Sequence, residues 1–366
     1  MDLIYMILQK GIDLKATDIH LAPDVSPIYR VNRKLTFDTT VFPMSFVVLT
    51  ELVEFFEKQT PNLKSSVEEK KKADFPFTYG GCRFRINLSY TKGTPTFSIR
   101  LIPNGEIEIG KIGIEELIRK MKRINSGLVL VTGKVNSGKS TTMNAYIQEI
   151  NKVETKKIVS LEDPIEYVHK SNKCAIIQKE IGKESDVLSY HDGLINLLRE
   201  DSDITVVGEI RDRKTMDVVI DLAESGSLVI GTLHTRSCGE TVERIVNMYE
   251  PSEQSNIKNA VSSVLKLVVS QKLLVGTSND LVLVPEIMMV NSTIAAHIRQ
   301  EDFSVSDIED AIHSLKDMGC LSYERSFADL FIAGKIDMKT IKENVDADRL
   351  DMIKGLIVNS GGALIN

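Results

Sequence analysis

The segment "GKVNSGKS", residues 133–140, has residue types and spacing suited to binding phosphate groups. The apolar stretch before it indicates a strand and the stretch after it a helix. Loop N–H groups would then cradle phosphates, the lysine would reach the β- and γ-phosphates, and the serine hydroxyl would bind Mg²⁺. A turn without a ligand is the alternative. The expected nucleotide contacts are Gly133, Asn136, Ser137, Gly138, Lys139, Ser140 and Thr141.

Acidic residues and a histidine follow the next three predicted strands. "KIVSL" leads to Glu162, Asp163 and Glu166, "ITVV" to Glu209, and "SLVIGTL" to His234. Ligands of open parallel sheets lie at the carboxyl ends of the strands, so these side chains should share one edge with the phosphate loop. Hydrolysis of a nucleoside triphosphate needs carboxylates that hold Mg²⁺ and orient water. A single acid of this kind is most often a helix cap or a solvated loop residue, but several at one edge favour function. The histidine fits a structural role as well as a catalytic one.

The order of the predicted elements indicates an α/β fold. From about residue 114, apolar strands alternate with stretches of helix length, which is typical of right-handed βαβ units and a mostly parallel sheet. After residue 290 the chain is predicted to be helical. We expect a smaller α+β domain over 1–103, a linker over 104–113 rich in glycine and charge, and the larger domain over 114–366.

A hairpin is predicted near the end of the smaller domain. In "RFRINLSY" (83–90) and "TFSIRLIP" (96–103), aromatic and aliphatic residues alternate with polar ones. One face would be buried, and Arg85 and Arg100 would lie on the other. Ordinary surface ion pairs are the alternative role for these two arginines.

Composition excludes several classes of protein. Of 366 residues, 42% are hydrophobic and 26% charged, which is typical of a globular chain. The net charge of −6 argues against a surface devoted to nucleic acid. The four cysteines are widely separated, which disfavours a zinc knuckle or a disulfide framework and favours the cytosol. No apolar run is long enough to span a bilayer, and the N-terminus lacks the basic start of a signal peptide.

Three longer motifs follow the phosphate loop in order: "LEDPIEYVH" (161–169), "LREDSDITVVGEIRD" (198–212) and "GTLHTRS" (231–237). Together they resemble one family, the secretion ATPases of type II secretion and type IV pili. Two N-terminal segments also resemble that family, "ATDIHLAP" (16–23) and "RFRINLSYTKGTPTFSIRLIP" (83–103). The resemblance therefore covers nearly the whole chain.

The resemblance implies a homo-hexameric ring of RecA-like P-loop ATPase domains, each preceded by a PAS-like domain. ATP and Mg²⁺ would bind between the two domains, with arginines arriving from the neighbouring subunit. Glu166 matches the catalytic glutamate, Glu209 the Walker B glutamate, and His234 the His box. Arg85 and Arg100 match arginines that reach the nucleotide. The residues expected at the metal are Ser140, Glu209 and Asp163.

Within the family, the length and the lack of a four-cysteine insertion favour the retraction, or twitching-motility, ATPases. "TIAAHIRQ" (293–300) partly matches the helix "AIRNLIRE" of that branch. The chain departs from the family at the loop interior "KVN" and at Ser227, where a histidine is usual. The expected partner is the inner-membrane pilus platform protein, reached from the cytoplasm by peripheral association, and no nucleic acid is expected. A pilus assembly or type II secretion ATPase, a weakly hydrolysing nucleotide-dependent regulator and a nucleic-acid translocase are the alternatives.

Overall fold

In the structure, a computed structural model, internal contacts divide the chain into two units. Unit 1 is Met1–Gly105 with Glu166–Val168, and unit 2 is Glu106–Ile165 with His169–Asn366. The residues that the structure describes are 2–31, 34–60, 63, 71–102, 107–182, 186–278 and 280–361. The start of the predicted linker, residues 104–106, lies outside them. The rest of that linker contains a short helix, Ile109–Ile112.

Unit 1 is built on an antiparallel sheet. Its elements are α1 (Asp2–Asp13), β1 (Asp18–Leu21), β2 (Ile28–Val31), β3 (Lys34–Phe37), α2 (Phe46–Gln59), β4 (Ala73–Tyr79), β5 (Cys82–Thr91) and β6 (Thr94–Ile102). The strand order is β3-β2-β1-β6-β5-β4. The apolar sides of α1 and α2 share one buried cluster with one face of this sheet. Burial of that face accounts for the alternation seen in the strands.

The predicted hairpin is confirmed as β5 and β6. Phe84, Ile86 and Leu88 are fully buried on one face, opposite Leu101, Ile99 and Phe97. Lys92 and Gly93 connect the strands with φ of 50° and 80°, the positive values that a tight hairpin turn requires. Residues of the other face, such as Arg85 and Arg100, oppose each other across the strands.

Unit 2 alternates strands with helices and then becomes helical. Its first elements are α3 (Ile109–Ile112), α4 (Glu115–Met121), β7 (Gly127–Gly133), α5 (Lys139–Val153), β8 (Lys157–Glu162), β9 (Ala175–Glu180), α6 (Tyr190–Leu197), β10 (Ile204–Val207), α7 (Arg213–Glu224) and β11 (Leu228–Leu233). Then follow α8 (Cys238–Val246), α9 (Gln254–Val264), β12 (Leu265–Val275), β13 (Leu281–Met289), α10 (Ser292–Arg299) and α11 (Val305–Ser314). The last elements are a 3₁₀ turn (Lys316–Met318), α12 (Tyr323–Ile332), α13 (Met338–Lys342) and α14 (Ala347–Asn359).

The sheet of unit 2 has the order β13-β12-β7-β11-β10-β8-β9, and every pairing is parallel except that of β12 with β13. The mostly parallel α/β sheet predicted from the sequence is therefore confirmed, with its four predicted strands at β7, β8, β10 and β11. Three further strands, β9, β12 and β13, were not predicted. "TIAAHIRQ" lies in and just after α10.

Both faces of this sheet are covered. All seven residues of β7 are buried. Leu128 and Leu130 belong to the hydrophobic cluster on one face, and Val129 and Val131 to the cluster on the other. A central strand buried on both faces explains why "GLVLVTG" is apolar throughout instead of alternating. Among the described residues, no helix is long and apolar enough to cross a membrane.

Glu286 is a buried carboxyl in the middle of β13. It is 3% exposed and accepts a hydrogen bond from the backbone N–H of Cys238, the first residue of α8, at 2.6 Å. Burial raises the pKa of Glu286 to about 7, although the hydrogen bonds from Cys238 oppose that shift. The folded state therefore binds this proton more tightly than the unfolded chain does.

We expect the free energy of unfolding to fall as the pH rises. The contribution of Glu286 is fully present below its ordinary pKa of 4.5 and is lost as the pH passes about 7. Glu286→Gln should flatten this dependence. Between pH 4 and pH 8, the free energy of unfolding of the variant should rise by about 3 kcal/mol relative to that of the wild type. Denaturant unfolding across that range measures it, with the exposed Glu224→Gln as control. Equal pH slopes in wild type and Glu286→Gln would contradict it.

Candidate active site

The phosphate loop connects β7 to α5. Gly133 has φ 144°, and a Cβ there would lie 2.4 Å from the Ser137 hydroxyl and 2.5 Å from the Gln271 carbonyl oxygen. Only glycine fits this position. Asn136 has φ 64°, in the left-handed region that asparagine tolerates better than most residues, and Gly138 precedes the helix with φ 90°. The loop therefore meets its backbone requirements despite the unusual interior "KVN".

The lysine of the loop lies over the loop's own backbone. The Lys139 ammonium donates hydrogen bonds to the carbonyl oxygens of Gly133 at 2.9 Å and Lys134 at 3.0 Å. It also lies 3.4 Å from Nδ1 of His234, the first residue after β11. Ser140 and Thr141 follow in the first turn of α5 and are half-buried. The predicted loop residues are thus brought together with the predicted histidine.

His234 connects this lysine to Glu209. Its Nε2 lies 3.1 Å from Oε1 of Glu209, while Oε2 of the same carboxylate pairs with Arg211 at 2.5 Å. An imidazole with hydrogen on Nε2 and a lone pair on Nδ1 satisfies both of its neighbours. The hydrogen bond that Arg211 donates to Glu209 raises the pKa of the Arg211 guanidinium, which stays charged. A charged and polar chain therefore runs from Lys139 through His234 and Glu209 to Arg211.

The backbone around Glu209 is held from both neighbouring strands. Gly208 N–H donates to the Leu161 carbonyl at 2.8 Å, and Ile210 N–H donates to the Thr232 carbonyl at 2.9 Å. Glu209 lies between these two bonds. Its carboxylate is therefore positioned by β8 and β11 as well as by its ion pairs.

The acids after β8 have different surroundings. Glu162 is buried and accepts hydrogen bonds from Ser160 at 2.7 Å and Gln178 at 3.0 Å. Asp163 is exposed, and its charge acts on both Arg211 and Tyr190. Asp163 thus shares the surroundings of Glu209, whereas Glu162 stabilises its own strand. Glu166 is exposed and belongs to unit 1, so its role stays a prediction.

Two residues that the sequence did not single out contribute to the site. Arg211 is the first, through its pair with Glu209. The second is Tyr190, the first residue of α6, whose hydroxyl would lie 2.8 Å from a Cβ at Gly208. Burial, followed by the charges of Asp163 and Glu209, raises the pKa of Tyr190, so its hydroxyl stays protonated. Only the arginine, two positions after Glu209, offered a signal in the sequence.

A second hydrogen-bonded path joins the segment after β8 to the loop helix. His169 Nε2 lies 2.6 Å from the amide oxygen of Asn144, and the Asn144 amide nitrogen donates to the Ser140 carbonyl at 2.8 Å. Burial lowers the pKa of His169 to about 4, so the ring is neutral at physiological pH. The end of "LEDPIEYVH" is therefore bonded to the first turn of α5.

The two arginines of unit 1 are paired within that unit. Arg100 Nε donates to Asp18 at 3.0 Å, and Arg85 Nε lies 3.6 Å from Asp74. Their side chains are 67% and 42% exposed. They lie on the polar face of the hairpin, as the alternation predicted.

Comparisons with known proteins identify the fold and its relatives. A family model described as "Type II/IV secretion system protein" matches residues 2–280. The chain belongs to this family. The Pseudomonas aeruginosa protein named type IV pilus retractation ATPase PilT is 31% identical over 90% of this chain and 94% of its own. A Neisseria gonorrhoeae twitching motility protein is 34% identical, over 74% of this chain and 71% of its own.

A solved structure of the pilus retraction motor PilT with bound ADP has a TM-score of 0.85 at 31% identity. It aligns with 95% of this chain and 98% of the solved one. The recognised secretion ATPase family, the α/β fold class and the ATPase class are confirmed by these matches. Nucleotide binding follows from the family, and the PAS-like description of unit 1 stays a prediction.

The close approach at Gly208 makes a specific prediction. A methyl group there would lie 2.8 Å from the Tyr190 hydroxyl and 3.0 Å from the Leu161 carbonyl, so we expect Gly208→Ala to shift the backbone next to Glu209. Glu209 is predicted to be catalytic, and displacement of a catalytic group by about 1 Å costs up to ~100-fold in rate. We expect ATP turnover to fall by that order while ADP binding persists.

The matched control is Gly355→Ala, in α14, where an added Cβ meets nothing within 4 Å. It should leave turnover unchanged. Adding Tyr190→Phe to Gly208→Ala relieves one of the two contacts and should recover part of the rate. Full turnover in Gly208→Ala would show that the position of Glu209 does not limit the reaction.

Proposed function

We propose that this chain hydrolyses ATP to power the retraction of type IV pili. Two matches carry the proposal: the sequence match to the Pseudomonas aeruginosa retraction ATPase spans 94% of that protein, and the solved structure of the retraction motor PilT aligns with a TM-score of 0.85. The chain of Lys139, His234 and Glu209 at the carboxyl ends of neighbouring strands supports it, because hydrolysis needs such groups beside the γ-phosphate.

Each residue of the site has a proposed role. The loop N–H groups and Lys139 bind the phosphates, and His234 contacts the γ-phosphate and reports its presence to Glu209. Glu166 and Glu209 orient the attacking water, and the proton of that water passes to a carboxylate. Arg211 holds Glu209 at the required angle. These roles follow the geometry inside unit 2 and, for Glu166, the family motif.

The donor atoms present also fit Mg²⁺. Among the described residues no group of three or more His, Cys, Asp or Glu side chains is placed to hold a metal. Mg²⁺ typically keeps several waters and binds through substrate phosphates and one or two protein oxygens. The Ser140 hydroxyl, with Glu209 and Asp163 through water, would supply those oxygens. When bound, the ion would neutralise charge on the phosphates.

We also propose that the chain acts as a homo-hexamer on the cytoplasmic side of the membrane. Its partner would be the pilus platform protein, bound by peripheral association. Arg85 and Arg100 would reach the nucleotide of a neighbouring subunit. Their exposed ion pairs with aspartates support this, because such pairs contribute at most about 1 kcal/mol and exchange readily for phosphate.

Deleting the gene distinguishes retraction from assembly. Loss of a retraction motor should leave excess surface pili, whereas loss of an assembly motor should leave none. Counting pili by electron microscopy measures this. Restoring the wild-type chain should return the count to normal, and restoring Glu209→Gln should not. A cell without pili after deletion would favour the assembly or secretion function.

The same Glu209→Gln chain distinguishes a motor from a nucleotide-dependent regulator. The amide keeps the size of the side chain but removes its charge and basicity, which typically costs about 10²–10⁴-fold in rate. We expect steady-state ATP turnover in the wild type and almost none in the variant. Turnover at an equal rate in both would remove Glu209 from the mechanism.

Arg100→Ala tests the contribution from the neighbouring subunit. We expect ATP turnover to fall at least about tenfold, since arginines supplied to a phosphoryl group contribute strongly to the rate. Turnover should be measured together with the mass of the oligomer. Lys92→Ala, in the exposed turn of the same hairpin, is the control. Unchanged turnover of Arg100→Ala in an intact ring would contradict the proposed role.

A further inference from the structure

A cavity of about 570 Å³ lies beside the phosphate loop. One wall is formed by the loop residues 133–137 and another by 271–274 at the end of β12. Arg236, two residues after His234, and residues 343–346, between α13 and α14, complete the lining. Lys139 and Ser140 are not among the described residues that line it. The cavity therefore adjoins the nucleotide site on the side of the loop that faces β12.

Three cations face this cavity without a carboxylate partner. Lys134, Arg236 and Lys272 all line it. Among the residues that the structure describes, none of the three makes an ion pair with an aspartate or glutamate. Lys134 and Arg236 are exposed, whereas Lys272 is half-buried. Unpaired positive charges gathered on one concave surface attract anions.

The surroundings of Lys272 disfavour the charged form of its side chain. Its ammonium lies 4.1 Å from the ring centroid of Tyr323. Burial, followed by repulsion from Arg349, lowers the pKa of Lys272, although the charges of Glu286 and Glu324 oppose that shift. A bound anion would offset both the desolvation and the repulsion between these like charges. An anionic ligand in the cavity would therefore stabilise the charged form of Lys272.

Two buried polar atoms, in residues that line the cavity, have no hydrogen-bond partner within the described parts of the chain. They are the Ser137 hydroxyl and the amide oxygen of Gln271, in residues 5% and 1% exposed. The other end of the Gln271 amide is fixed, because its nitrogen donates to Thr142 at 2.7 Å. Polar atoms left unsatisfied in the interior mark a place where a ligand or water completes the bonding.

Two carboxylates also line the cavity. Glu343 and Asp346 line the cavity with Asn344 between them. Glu343 lies 3.9 Å from Lys339, and Asp346 is the residue before α14. These acceptors suit hydroxyl or amino groups of a ligand. The lining as a whole fits a molecule with a phosphate at one end and hydrogen-bond donors at the other.

We propose that this cavity binds a phosphate-bearing ligand, with the phosphate among Lys134, Arg236 and Lys272. The proposal goes beyond ATP hydrolysis and does not depend on it. The phosphate would belong to a second molecule, bound while the loop holds its nucleotide. Pyrophosphate stands for that molecule in the test, and ADP occupies the loop.

The test is calorimetric titration of the full chain with pyrophosphate, before and after saturation with ADP. Lys272→Met keeps the length of the side chain and removes its charge, and Arg236→Gln removes a second cation. Lys266→Met, at the other end of β12, is the matched control. Loss of one charge-assisted hydrogen bond should weaken binding about tenfold. Thermal unfolding of each variant establishes that it is folded.

A second molecule is supported if ADP-saturated protein still binds pyrophosphate and Lys272→Met weakens that binding about tenfold. Lys266→Met should bind pyrophosphate as the wild type does. The proposal is overturned if ADP blocks pyrophosphate binding, because the phosphate would then occupy the nucleotide site of the loop. It is also overturned if Lys272→Met and Arg236→Gln bind pyrophosphate as the wild type does. The titration measures binding only. If the wild type showed no ATP turnover, the proposed function would be contradicted, but the result of the titration would stand.

Discussion

The parallel register of β7 with β11 is the constraint on which the rest of the site depends. Thr132 pairs with Leu233, so the next residues lie side by side: Gly133 at the end of β7 and His234 just after β11. β10 is aligned with β11 in turn, which brings Glu209 level with the end of that strand. A slip of one residue would turn these side chains to the other face of the sheet. The ammonium, imidazole and carboxylate meet because the buried strands permit a single register.

Much of this arrangement was predictable from the sequence because buried parallel strands are apolar and short. "GLVLVTG" coincides with β7, and the residues just after the other strands were expected at one edge. Strands β9, β12 and β13 were harder to predict. β9 alternates between exposed and half-buried positions at the edge of the sheet, and β13 contains Pro285 and Glu286. Their pairing depends on partners distant in the chain, which local periodicity does not record.

The electrostatic details of the site were not predictable in the same way. Tyr190 begins a helix in a segment without a motif, and it reaches the site because α6 packs against β8 and lies beside Gly208. Arg211 was visible in the sequence, but its role depends on its position within 2.5 Å of Glu209. The roles of Glu166, Arg85 and Arg100 still rest on motif matching. Distances between side chains on different elements require the fold itself.

The two departures from the family pattern differ in their physical consequences. Ser227 lies just before β11, seven residues and thus about 23 Å from His234, and it donates to the Ser202 carbonyl at 3.0 Å. Its substitution therefore leaves the site's hydrogen bonds intact. The "KVN" interior lies within the loop, yet the conformation there depends on Gly133, Asn136 and Gly138, which all adopt positive φ. The change that remains is one of charge, because Lys134 adds a cation beside Arg236 and Lys272. A loop that keeps its backbone and gains a positive charge is still suited to binding phosphate.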